Sequence, residues 1–104
     1  MFARVTSGEL SPDDVEKFVG MVRDQVIPRA EKLGGFKGGY WLADRESGRV
    51  MGITMFESEE ALRASQSQAD RIREEASRQA GLRVPSFTTY EVVASVGDEK
   101  ALAA

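Results

Sequence analysis

Two stretches of helical spacing, each flanked by runs that alternate with period two, leave this chain few folds to adopt. In the first stretch apolar residues recur at Val15, Phe18, Val19, Val22, Val26, Ala30 and Leu33, which places them on one helix face. Ser11 is positioned to accept from the free N–H groups of the first turn, Pro12 suits the first helical position, and Asp13 and Asp14 favour the positive end of the helix dipole. Pro28 cannot donate to the carbonyl four residues back, so a kink or break is predicted near Val26–Ile27. Gly34 and Gly35 end the helix. The second helix begins after Ser58, with Glu59 and Glu60 in its first turn, and ends at Gly81. Its inner face reads Leu62, Ser65, Ala69, Ile72, Ala76 and Ala80, small enough to lie close on a sheet.

The period-two runs predict strands over 2–7, 36–44, 50–57 and 84–96. The polar segment 45–49, with Gly48 available for positive φ, joins the middle two into a hairpin. Pro85 suits an edge strand. Strand, helix, hairpin, helix, strand is the split β-α-β order: an α+β, ferredoxin-like βαββαβ fold. Right-handed crossovers put both helices on one face of a four-stranded antiparallel sheet. One domain over 1–96 with a flexible tail over 97–104 accounts for the chain of 104 residues.

A chain this short buries well under three quarters of its unfolded surface, so a lone copy is only marginally stable. Each strand divides into two sets. Met51, Ile53 and Met55, with Ala3 and Val5, are uniformly apolar and are expected against the helices. Val50, Gly52, Thr54 and Phe56, with Phe2, Arg4 and Thr6, are mixed and are expected on the open face. That face still carries Phe2, Val50 and Phe56, enough apolar surface to predict a homodimer formed sheet to sheet.

With 14 basic and 17 acidic residues the net charge is −3, which gives no electrostatic reason to expect nucleic acid or an anionic membrane. No apolar run approaches the roughly 20 residues that span a bilayer. The start, Met1 to Thr6, lacks the basic and long apolar regions of a signal peptide, so a cytoplasmic location is expected. The sequence contains neither cysteine nor histidine. This removes disulfides, thiolate nucleophiles, and the usual general base and metal ligand of neutral pH. No metal site and no cofactor are expected.

The step Gly35-Phe36-Lys37-Gly38, the hairpin from Tyr40 to Arg49, and Met55-Phe56-Glu57-Ser58-Glu59-Glu60-Ala61 resemble the antibiotic-biosynthesis-monooxygenase type of dimeric α+β barrel. The resemblance covers about residues 2–95. It implies a small dimeric protein with cofactor-independent monooxygenase-like activity on a small aromatic substrate. The alternative is a non-catalytic small-ligand binder, or a partner module whose sheet face serves association. Haem-degrading relatives use an asparagine on the first strand, a tryptophan ending the third and a histidine on the second helix. Here the first strand has no asparagine, the third ends in Phe56, and the second helix offers Ser65, Gln66, Ser67 and Gln68, so haem degradation is not expected.

The pocket candidates are Arg4, Thr6, Trp41, Thr54 and Phe56. A two-residue turn at Ser47–Gly48 would set Trp41 opposite Thr54, in the cavity, with Tyr40 towards the helices; a bulged turn would swap the two. Arg4 either holds an anionic ligand or pairs with Glu91. Aromatic walls and a donor for a developing anion suit a substrate that passes an electron to dioxygen itself, and equally suit any flat aromatic ligand. The arginines of the second helix, Arg63, Arg71, Arg73 and Arg78, alternate with Glu74 and Glu75 and read as its solvated side.

Overall fold

The chain runs from β1 (Phe2–Glu9) through a 3-10 turn at Pro12–Asp14 to α1 (Val15–Met21), a π-helical turn (Val22–Val26) and α2 (Ile27–Ala30). The hairpin β2 (Phe36–Ala43) and β3 (Arg49–Phe56) follows, then α3 (Glu59–Ala64), α4 (Gln66–Ala80) and β4 (Arg83–Glu91). This computed structural model describes residues 1–97; the tail expected over 97–104 lies, after Gly97, outside the described residues. The sheet order is β2-β3-β1-β4, with all neighbours antiparallel. This is the expected ferredoxin-like α+β arrangement, with Pro85 on an edge strand.

Local departures from the sequence expectations have local causes. Ser11 caps through its carbonyl, which accepts from the Asp14 N–H at 2.8 Å, and its hydroxyl makes no cap bond. Pro28 does not break the first helix. The π turn just before it widens the coil, where a regular α turn would drive the proline ring into the preceding carbonyl. The second helix is interrupted at Ser65, between α3 and α4. β4 stops at Glu91 instead of residue 96, because its partner β1 has ended; the last ladder bond is Val92 N–H to the Met1 carbonyl, 2.8 Å. Ser58 caps α3 as expected, its hydroxyl accepting from the Ala61 N–H at 3.1 Å.

The hairpin turn is four residues long, not two. Asp44 N–H donates to the Arg49 carbonyl and Gly48 N–H to the Asp44 carbonyl, both at 2.8 Å. Gly48 has φ +81°, and a Cβ there would lie 1.9 Å from the Leu10 carbonyl oxygen, so no other residue fits. The Asp44 carboxylate is held below the usual range by the Glu46 N–H first, then by the Ser47 hydroxyl and N–H. The four-residue loop moves the pairing two residues from the expected register: Trp41 lies opposite Gly52, and Gly39 opposite Thr54. A shift of two preserves the face, so Trp41 still shares its side with Thr54.

The helices cover the mixed face of the sheet, which corrects the expectation that they cover the uniformly apolar one. Val50 packs with Leu10, Val15, Phe18, Met21, Val22, Ala76 and Ala80, with Trp41 against them. Phe56 packs with Leu33 and Leu62, with Phe2 and Phe36 against that group. Ala3, Val5, Met51, Ile53 and Met55 therefore point away from the helices, alongside Tyr40, Leu42 and Tyr90. Of these, Tyr40, Leu42, Met51 and Tyr90 are exposed. The sheet thus has one face under helices and a second, more apolar face under none of them. Among the described residues no helix is long and apolar enough to cross a membrane.

Candidate ligand cavity

Between the helices and the sheet lies a cavity of about 100 Å³. Its floor is set by strand register. One row across the sheet is Trp41, Gly52, Thr6 and Phe87; the next is Gly39, Thr54, Arg4 and Thr89. Its roof is Phe18, Val22, Val26 and Ala30 from the first helical segment and Ala69, Ile72, Arg73 and Ala76 from α4. Arg4, Thr6, Trp41 and Thr54 all line it. Phe56 does not. It is fully buried beside Leu33 and Leu62, in edge-to-face contact with Phe36 at 5.9 Å and 74°, and Arg4 lies over its ring at 5.4 Å. Phe56 is therefore core, not cavity wall and not open sheet surface. The cavity lies on the helix side of the sheet rather than on the open side, as the reversed faces require.

Arg4 is 3% exposed and reaches from β1 to the break between α3 and α4. One terminal nitrogen donates to the Leu62 carbonyl at 2.8 Å, to Ser65 Oγ at 3.2 Å and to Gln66 Oε1 at 3.1 Å. The interruption at Ser65 is what makes the Leu62 carbonyl available, and a cation suits this C-terminal end of α3. Arg4 Nε has no acceptor among the described residues. Arg4 does not pair with Glu91, which stands opposite Phe2. Burial pulls the Arg4 guanidinium below the ordinary arginine range; Asp70 acts the other way and Arg73 adds to the lowering. The group stays charged near neutrality.

Arg73 was not legible as a cavity residue. It stacks on Phe87 at 4.7 Å and pairs with Asp70 at 3.0 Å, while Gln66 donates to the same Asp70 oxygen at 2.9 Å. Its spacing, four residues after Ala69 and one after Ile72, was the available signal, masked by the neighbouring charges. Trp41 is half-buried, with its indole lying on Gly52; a Cβ at residue 52 would come within 3.0 Å of Trp41 Nε1. Gly52→Ala is expected to shift the indole, move its fluorescence emission and cost about 1–3 kcal/mol in overpacking. An emission spectrum and an unfolding midpoint identical to the parent's would contradict that packing.

Among the described lining residues there is no histidine, cysteine or tyrosine, and the one methionine, Met51, turns its side chain to the open face of the sheet. The cavity does not fit haem. Among the described residues no group of acidic, histidine or cysteine side chains is placed to hold a metal ion.

No family model matches the sequence. The chain is 29% identical over 100 residues to the uncharacterised protein Rv2557 of Mycobacterium tuberculosis, covering 96% of this chain and 44% of that protein. It is 37% identical over 76 residues to the uncharacterised Rv2558 of the same organism, covering 73% of this chain and 32% of that protein. The chain thus spans less than half the length of the curated relatives it matches. Among solved structures it is similar to the ActVA-Orf6 monooxygenase of Streptomyces coelicolor in complex with nanaomycin D: TM-score 0.74, 20% identity, covering 93% of this chain and 91% of that one. It is similar to the haem degrader MhuD of Mycobacterium tuberculosis at TM-score 0.71 and 22% identity, covering 93% and 100%. A third is SnoaB, a cofactor-independent oxygenase of Streptomyces nogalater, at TM-score 0.68 and 13% identity, covering 93% and 97%. The fold of this chain is that of the antibiotic-biosynthesis-monooxygenase-like ferredoxin-fold proteins, as its hairpin and helix-entry residues suggested.

Proposed function

We propose that this protein is a cofactor-independent monooxygenase-like enzyme that takes a small aromatic substrate into the cavity between sheet and helices. The observation that carries the proposal is a mostly apolar cavity with one buried guanidinium whose Nε has no acceptor among the described residues. Its volume of about 100 Å³ is of the order of a cavity that admits one benzene-sized ring, about 150 Å³. The similarity to ActVA-Orf6 and SnoaB supports oxygen chemistry on such a scaffold. In this reading the ionised, electron-rich substrate reduces dioxygen itself. A ring C–H of the ionised phenol becomes a carbonyl, giving a quinone; one oxygen atom enters the product and the other leaves as water, so the substrate supplies all four electrons. The protein excludes water, orients the ring against Trp41 and stabilises developing negative charge through Arg4.

The same reading includes a cytoplasmic homodimer of one domain, residues 1–96, joined through the open sheet face. The exposed Tyr40, Leu42, Met51 and Tyr90 on that face support it. Oxygen uptake with hydroxylated single-ring substrates, followed by mass analysis under ¹⁸O₂, tests the enzyme. One labelled oxygen per product is expected. Saturable binding with no oxygen uptake across the panel would establish the non-catalytic ligand binder instead. Haem titration is expected to give no tight spectral shift; stoichiometric binding with ring cleavage under a reductant would contradict the cavity's misfit.

A further inference from the structure

We propose that the cavity selects a ligand that arrives already ionised: one aromatic ring bearing a single anionic oxygen group, held by Arg4 with Arg73 beside it. This rests on the reading of the cavity as a ligand site. Three observations converge on it.

The first is charge. All three acceptors that Arg4 meets are neutral: a backbone carbonyl, a hydroxyl and an amide oxygen. The charged groups facing it, Asp70 and Arg73, both come from α4 and pair with each other. Phe56 from β3 is uncharged. Two guanidiniums therefore meet one carboxylate, and one positive charge is left over in a desolvated place. An uncompensated buried charge is costly, and a ligand anion offsets it.

The second is the lack of a proton acceptor. Among the described lining residues there is no aspartate, glutamate, histidine, lysine, cysteine or tyrosine. Thr6 and Thr54 supply hydroxyls, which do not ionise near neutrality. A neutral acid entering the cavity finds no side chain to take its proton. Ionisation is therefore set by the ligand's own acidity, which the positive surplus strengthens.

The third is geometry. Arg4 and Trp41 stand two strands and one row apart on the same face, about 12 Å between Cα atoms by strand spacing. With both side chains reaching inwards, a single ring fits between indole and guanidinium, with its anionic group at the Arg4 end.

Calorimetric titration of the intact protein with benzoate and with its isostere benzamide tests the inference, with Trp41 fluorescence as a second readout. Benzoate is expected to bind at least about tenfold more tightly. For 4-nitrophenol, apparent affinity is expected to fall about tenfold per pH unit below the phenol's own pKa and to level off above it. Arg4→Gln is expected to erase the preference for benzoate, and Arg4→Lys to retain part of it, each checked for folding by circular dichroism. If Arg4→Gln does not fold, the comparison on the parent protein still decides. Equal affinity for benzoate and benzamide, or one pH midpoint shared by phenols of different acidity, would overturn the inference while leaving the cavity a ligand site. Absence of binding by every probe would overturn the site reading, and the inference with it.

Discussion

Phe56→Asp is expected to abolish folding, and Phe56→Ala to cost about 3–5 kcal/mol. The ring is fully buried, meets Phe36 edge-on at 5.9 Å and lies under the Arg4 guanidinium at 5.4 Å. Alanine leaves a cavity among Leu33, Leu62 and Phe36 and removes the surface on which Arg4 rests. A domain of this size has about 5–15 kcal/mol of total stability, so even that loss is severe. Aspartate adds a desolvated carboxylate. Arg4 is near enough to attract it, but swinging down would abandon the Leu62 carbonyl at the end of α3. Urea titration followed by circular dichroism measures the alanine variant. A midpoint within experimental error of the parent's would show that Phe56 is not the centre of this cluster.

Ile53→Asp is expected to do the reverse: leave the protomer folded and part the dimer. Ile53 lies on a central strand, on the face that none of the described helices covers, and is only half-buried in the protomer. In a free protomer an aspartate there keeps much of its hydration. Across a twofold axis the same change enters twice, and each carboxylate is sealed against apolar surface without a partner. Equilibrium sedimentation at micromolar concentration should show the mass falling from twice 11.4 kDa to 11.4 kDa. A parent protein that already sediments at 11.4 kDa would end the dimer proposal, and a variant that keeps the doubled mass would place the interface elsewhere.

The contrast between these two substitutions marks what the sequence made legible and what it did not. Element order was readable because its punctuation is chemical: Pro12, the Gly34–Gly35 pair, Gly48, Ser58 and Gly81 each sit where the chain turns or a helix begins or ends. The division of each strand into two sets was readable too, because side chains alternate whatever the register. That is why a hairpin loop misjudged by two residues still left Trp41 with Thr54. Which set the helices cover was not readable from polarity, because the usual rule is inverted here. Arg4, Thr6 and Thr54 are polar although the helices cover them, since they border a cavity. Met51, Ile53 and Met55 are apolar although none of the described helices covers them. Both sets carry enough hydrophobic area to pass for a core, and only the fold decides between them. Arg73 was obscure for a related reason: a guanidinium paired with Asp70 and stacked on Phe87 leaves the same mark in sequence as a solvated one.

The π-helical turn at Val22–Val26 lets the first helical segment carry one residue more than a regular α-helix of the same span. A π turn holds one more residue than an α turn, so the two ends of the helical segment are out of phase with a continuous α-helix. Closing this turn as a regular α-helix with all five residues kept would turn α1 by about 100° relative to α2. Val15 and Phe18 would then swing off Val50, while Ala30 stayed in place at the far end of the cavity roof. Conservative replacements along this turn change only the lining of the cavity. Loss of one residue there would instead close the coil with both ends in place, so homologous chains that share the cavity are expected to tolerate a one-residue gap in this stretch.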